Sequence, residues 1–251
     1  MEKSNELFSS TMSLGDHLEE LRWRLIYALA GLGAGTGLCM IFGAKLVKFL
    51  LEPYNRLVPD DPLNFLGISD AFVIYMKVSL IAGLILSSPW VFYQLWMFVS
   101  AGLYKHERRY VKISIPFSAG LFIAGALFFF FVIAPLSLRF FLKFGELIGG
   151  EQAWTFNKYI SFITLLMLVF GLGFQTPLAI FVLQRAGIVS IASLRRSRKY
   201  VFLSMFVLAA VATPPDVISQ ITLALPLYLL YELGMVLCRF VPAGRRDEQL
   251  H

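Results

Sequence analysis

Six apolar stretches, most of them long enough to cross a lipid bilayer, restrict the fold of this chain more than any other feature. They fall at about 25–42, 72–98, 113–134, 159–183, 200–213 and 218–238. A bilayer core takes about 20 apolar residues in helical form. Hydrocarbon offers no water to the backbone, so each crossing segment must bond its own N–H and C=O groups, and outside a closed barrel that means a helix. Composition points the same way. The chain is 58% hydrophobic and 15% charged, whereas soluble domains sit near half apolar and a quarter charged. The expected class is an all-α integral membrane protein with six transmembrane helices, forming one polytopic domain over 1–251.

The spans are uneven. From Tyr200 to Cys238 there are 39 residues, with Asp216 and Glu232 the only acids or bases among them. Two full spans would fill that length before any turn, so at least one is short. Pro89, Pro116, Pro177 and Pro226 lie within or at the ends of apolar segments. Each removes a helix hydrogen bond and favours a bend, which predicts a concave body of non-parallel helices. Span one carries Gly31/Gly35 and Gly33/Gly37, two small-xxx-small pairs that allow close helix approach, either inside the chain or to a partner. Turn-formers in "LVPDDPLN" (57–64) and "ELIGG" (146–150) mark connections.

Orientation follows from Lys and Arg in the connections. Segments 1–24, 99–112, 184–199 and 239–251 hold 3, 4, 5 and 3, a total of 15 on one side. Segments 43–71, 135–158 and 214–217 hold 3, 3 and none, a total of 6 on the other, and Lys77 lies inside span two. Fifteen against six predicts both termini in the cytoplasm. The same retention of basic loops accounts for the net charge of +6 without a nucleic-acid partner. The first 24 residues carry Glu2, Glu6, Asp16, Glu19 and Glu20, unlike the positive start of a cleavable signal, so the first apolar run is expected to remain as an anchor. Cys39 and Cys238 both fall in apolar segments and read as small core residues rather than a disulfide or metal pair.

Two acids stand out on the more basic side. In "DHLEELRWRL" (16–25), Asp16, Glu19 and Glu20 precede Arg22 and Arg24. This is either helix-dipole matching with an i,i+4 charge ladder, or an acidic spot held at the interface. In "YKHERRYVK" (104–112), Glu107 sits among Lys105, His106, Arg108, Arg109 and Lys112. The bases set topology but leave the acid unexplained. Carboxylates are natural receptors for arginine, because the guanidinium fork bonds them bidentately, and two at one interface suit two arginines. Within the apolar segments, Gln175 needs a partner, as an interhelical bond or as a functional group. In "ATPPDVISQ" (212–220), Asp216 suits the N-cap of span six and Gln220 follows one turn later. There is no nucleotide loop, HExxH, Ser/His/Asp or Cys/His constellation, so neither an enzyme nor a cofactor or metal is expected.

The segments "HLEELRWRL", "SSPWVFYQLWMFVSAGLYKHERR", "FGLGFQTPLAI", "LRRSRKYV" and "ATPPDVISQITLALPLYLLYE" occur in this order with six spans. Together they resemble the TatC family, the multi-spanning receptor subunit of the twin-arginine, Sec-independent protein translocase, over about Leu14 to Phe240. The resemblance implies a glove-like set of six helices in the bacterial inner membrane. It implies binding of twin-arginine signal peptides of folded cargo at the cytoplasmic face, TatA-type and TatB-type single-span partners, self-association in a larger complex, and use of the proton-motive force. Glu20 and Glu107 match the family's signal-binding glutamates, and Phe98 belongs to the same region, as do Leu18, Arg22 and Tyr104 in the matching stretches. Pro53 matches a proline of the first periplasmic loop, and Asp216 and Gln220 match the PPDxxSQ stretch. The chain departs from the pattern at Gln175, where many relatives have a glutamate. An amide cannot titrate, so only a hydrogen-bonding role carries over. It departs again at Ala101–Gly102, which replace a proline-containing form. The competing class is a small-solute transporter or channel, which calls for an inverted repeat and a polar path near the bilayer centre; the sequence has no such repeat.

Overall fold

The computed structural model describes residues 14–59, 63–101, 108–147, 149, 154–185, 187–212 and 217–240. All regular structure in them is helical. In chain order the helices are α1 (Leu14–Ile41), α2 (Gly43–Asn55), α3 (Asp70–Ala101), α4 (Arg108–Phe128), a π-helical turn (Phe129–Ile133), α5 (Ala134–Leu147), α6 (Phe156–Gly173), α7 (Thr176–Arg185), α8 (Ile191–Ala212) and α9 (Val217–Phe240). Six passes result: α1, α3, the rod of α4, the π-turn and α5, the rod of α6 and α7 broken at Phe174–Gln175, α8 and α9; α2, with 13 residues, is too short to cross.

Five of the passes carry an apolar stretch of spanning length among the described residues: His17–Ile41, Asp70–Ser100, Ser114–Leu147, Phe156–Arg185 and Gln220–Arg239. The sixth, α8, has 22 residues but carries Arg195, Arg196, Arg198 and Lys199 in its N-terminal half. Its apolar part is therefore short, as the crowding of spans five and six predicts. The third pass continues past the predicted end at 134 to Leu147. The π-turn precedes Pro135, which has no N–H to give to the Phe131 carbonyl and crowds it. The chain answers by widening one turn, with the Ala134 N–H bonded to the Phe129 carbonyl, and helix resumes.

The passes form an open row. α1 rests mainly on α3, α3 on α4, α4 on α6, α7 on α9 and α9 on α8, so α1 and α8 are the outer helices. In the most apolar 18-residue window of α1 only 6% of positions are buried, which leaves most of this helix to lipid or a partner. Its four glycines divide by face. A Cβ on Gly35 would lie 2.9 Å from the Gly83 carbonyl oxygen of α3, whereas one on Gly33 or Gly37 would meet nothing. The Gly31/Gly35 pair is thus an internal contact and the Gly33/Gly37 pair faces outward.

The core lies where α4, the π-turn, α5 and α6 meet. Phe129, Phe130, Phe170, Ile160 and Ile163 are fully buried there. Phe129 and Phe170 pack with ring centroids 5.4 Å apart, and Phe128 and Phe174 with centroids 5.6 Å apart. The connection after α2 is pinned rather than loose. Phe156 N–H donates to the Asn64 carbonyl at 3.0 Å, and the Phe65 and Phe156 rings stack at 4.7 Å. Gly187, with φ +68°, ends α7 in a Schellman turn: Ile188 N–H donates to Leu183 and Gly187 N–H to Gln184.

Candidate functional site

At the N-terminal end of α1 one stripe of side chains faces the C-terminal half of α3. His17, Glu20 and Arg24 stand at i, i+3 and i+7, spacings that fall on one helix face. The His17 ring stacks on Phe98, with centroids 4.6 Å apart and planes 25° apart. Arg24 Nη2 donates to Glu20 Oε1 at 3.4 Å, and Arg24 Nη1 donates to Gln94 Oε1 at 3.0 Å. Gln94 is buried, while the Glu20 and Arg24 side chains keep 23% and 25% of their exposure. One turn further in, Trp90 Nε1 donates to the Tyr27 carbonyl at 2.9 Å. The Glu20–Arg24 contact is the i,i+4 pairing that the sequence offered as one of two alternatives, and the Glu20 side chain stays partly exposed.

Leu18 and Arg22 are exposed on other faces of α1. The structure brings His17, one turn before Glu20, onto Phe98 and does not bring Leu18 and Arg22 into that stripe. Glu107 and Tyr104 lie outside the described residues. Arg108 opens α4, which packs on α3, the helix carrying Gln94 and Phe98. Sequence reasoning missed His17 and Gln94. The 17/20/24 spacing could have revealed the first, but nothing in the sequence links Gln94 to position 24.

Gln175 sits at the break between α6 and α7. Its Nε2 donates to the Ser118 carbonyl of α4 at 2.8 Å, and Trp96 Nε1 of α3 donates to Ser118 Oγ at 2.5 Å. Three passes are thus tied at one buried serine. Gln175 works here as the interhelical bond that the sequence left as one alternative. Gln175→Leu is expected to lose about 1 kcal/mol, read as a fall of a few degrees in the midpoint of thermal unfolding of the purified protein. An unchanged midpoint would mean that this bond carries no stability.

Pro53 and Gln220 both sit in helix packing. Pro53 is buried within α2. It lines a cavity of about 240 Å³ with Glu52, Arg56, Phe130, Phe131 and Arg139. Gln220 Nε2 donates to the Phe206 carbonyl at 2.9 Å and so joins α9 to α8, and Asp216 lies outside the described residues. Two polar ties were not anticipated. Arg198 of α8 pairs with Glu232 of α9 at 2.7 Å, and Tyr228 OH donates to the same carboxylate. Lys77 donates to Asn157 Oδ1 and Ser161 Oγ of α6, and Asn157 Nδ2 donates to Asp70. An intramembrane lysine is thereby solvated by neighbouring helices. Among the described residues no three His, Cys, Asp or Glu side chains are grouped to hold a metal.

The family model for the Sec-independent protein translocase protein TatC matches residues 16–226. A Sec-independent protein translocase protein TatC from Desulforapulum autotrophicum is 38% identical over 223 residues, covering 88% of this chain and 82% of that protein. Its counterpart from Aquifex aeolicus is 35% identical over 240 residues, covering 95% and 99%. Among solved structures, a crystal structure of the twin arginine translocase receptor TatC superposes with a TM-score of 0.81 at 36% identity, covering 89% of this chain and 98% of that one.

Proposed function

Because the chain belongs to the TatC family of Sec-independent protein translocase proteins, we propose that it is the signal-receiving core of a twin-arginine translocase. It is a multi-pass protein of the bacterial inner membrane. In this reading both termini and the Glu20 end of α1 face the cytoplasm, in keeping with 15 basic residues against 6 in the connections. Glu20 and Glu107 receive the two arginines of a signal peptide. Phe98 supplies an apolar surface beside Glu20, and Leu18, Arg22 and Tyr104 line the approach. Single-span partners of the TatA and TatB type and further copies of this chain complete the machine, which draws on the proton-motive force.

The observation that carries the reading is the Glu20 carboxylate, held on α1 within one turn of the His17–Phe98 stack and still partly exposed. A carboxylate at a polar–apolar boundary suits a peptide whose arginines precede an apolar run. Among the described residues Glu20 Oε1 has only a long contact to Arg24, so an incoming guanidinium can still engage it. The task is binding and positioning, and no covalent step is required. The solute-channel alternative gains nothing from the structure, because Gln175, Gln220 and Lys77 are all bonded to neighbouring helices.

Photocrosslinking tests the assignment. Probes at single positions in 18–22 and 103–109 are expected to capture a twin-arginine peptide. A twin-lysine peptide should be captured far less, since lysine keeps the charge but loses the planar fork. Equal capture of both peptides would remove the fork from the recognition.

A further inference from the structure

We propose that Arg24 is a built-in competitor for the Glu20 carboxylate, and that Gln94 restrains it so that a peptide arginine can displace it while a lysine cannot. The inference rests on the reading of Glu20 as an arginine receptor and adds the device that sets its selectivity.

The geometry is specific. Charge-assisted N–H···O bonds usually measure about 2.7–2.9 Å. Arg24 Nη2 reaches Glu20 Oε1 only at 3.4 Å, so the ion pair is slack. The shorter bond, at 3.0 Å, goes to the neutral Gln94 Oε1, and Gln94 is 3% exposed and held within α3. A guanidinium is a rigid planar fork. With Nη1 committed to Gln94, the plane is held, and of the remaining nitrogens only Nη2 reaches the carboxylate. Arg24 therefore touches one oxygen of Glu20, and among the described residues Oε2 has no partner.

A carboxylate engaged at one point discriminates between incoming cations. A lysine ammonium is a point charge, and by displacing Arg24 it exchanges one contact for one. A peptide guanidinium can take both oxygens and exchanges two contacts for one. Without Gln94 the fork of Arg24 is free to rotate and close on both oxygens of Glu20, and the receptor then neutralises itself. Gln94 thus acts as a positioning residue, and Arg24 sets the threshold a ligand must exceed.

The test uses the full-length protein in nanodiscs and fluorescent twin-arginine and twin-lysine signal peptides. Gln94→Ala is expected to weaken twin-arginine binding about tenfold, the scale of one charge-assisted bond. Adding Arg24→Gln to it should restore wild-type affinity or better. Arg24→Gln alone should raise twin-lysine binding and so shrink the arginine-to-lysine ratio. Where Gln94→Ala fails to fold, Gln94→Met fills the same space without an acceptor and is expected to behave alike. Wild-type affinity in a folded position-94 variant, or a double variant as weak as the position-94 change alone, would overturn the proposal. Glu20→Ala separates the two levels. If it binds like wild type, the receptor reading itself fails. If it alone weakens binding, only the role given to Arg24 and Gln94 fails.

Discussion

Export of a twin-arginine cargo is expected to stop in Glu20→Ala and in Glu107→Ala, with each variant still inserted in the membrane at the wild-type level. A hydrogen bond to a charged group contributes about 1.5–3 kcal/mol. Loss of one receptor carboxylate should therefore weaken peptide binding roughly tenfold to a hundredfold. Glu20 is not needed to hold α1 in place. Arg24 keeps its bond to Gln94 without it, and Trp90 still ties α3 to the Tyr27 carbonyl. Stability should consequently change little while binding falls. Glu20→Gln keeps the shape and one acceptor but loses the charge, and it should fall between wild type and alanine. Cargo accumulation in the periplasm, with insertion followed in parallel, provides the check. Normal export from the double variant would rule out both residues as the receptor.

Gly83→Leu should be the most damaging single change at the α1–α3 crossing. A Cβ on Gly83 would lie 2.6 Å from both the backbone nitrogen and the Cα of Thr36. Those atoms cannot turn aside as a flexible side chain can, so α1 itself must move. Overpacking of this kind costs about 1–3 kcal/mol, occasionally more. The consequence reaches the candidate site, because α3 is the main support of α1 and the stripe of His17, Glu20 and Arg24 is placed by that crossing. Both the unfolding midpoint and peptide binding are expected to drop. Gly33→Leu is the matched control, since a Cβ there meets nothing. Equal behaviour of the two variants would show that the crossing is not as close as described.

Much of this architecture is legible in the chain itself. Spans can be read because a bilayer imposes a length and forbids unbonded backbone, and both constraints are local in sequence. The crowding between Tyr200 and Cys238 announced a short pass, and α8 is that pass, with its basic first turns. Other features were not legible. The third span was expected to end at 134, yet the chain widens one turn before Pro135 and continues to Leu147, and neighbouring helices bury Phe129 and Phe130 at that point. The four glycines of α1 formed two equivalent pairs on paper, and only the position of α3 separated an inward pair from an outward one.

At the candidate site the division is the same. The sequence by itself determined that Glu20 and Glu107 are acids on the more basic side of a six-span membrane protein, since charge and span length are properties of single segments. It also contained the Glu20–Arg24 pairing, because four residues make one helical turn. Only the tertiary structure decided that Arg24 is drawn to Gln94, 70 positions away, and that Phe98 meets His17. Those contacts depend on the offset and rotation of α1 against α3. That offset is set by the close approach of Gly35, Thr36 and Gly83, where the absence of a side chain lets two backbones touch.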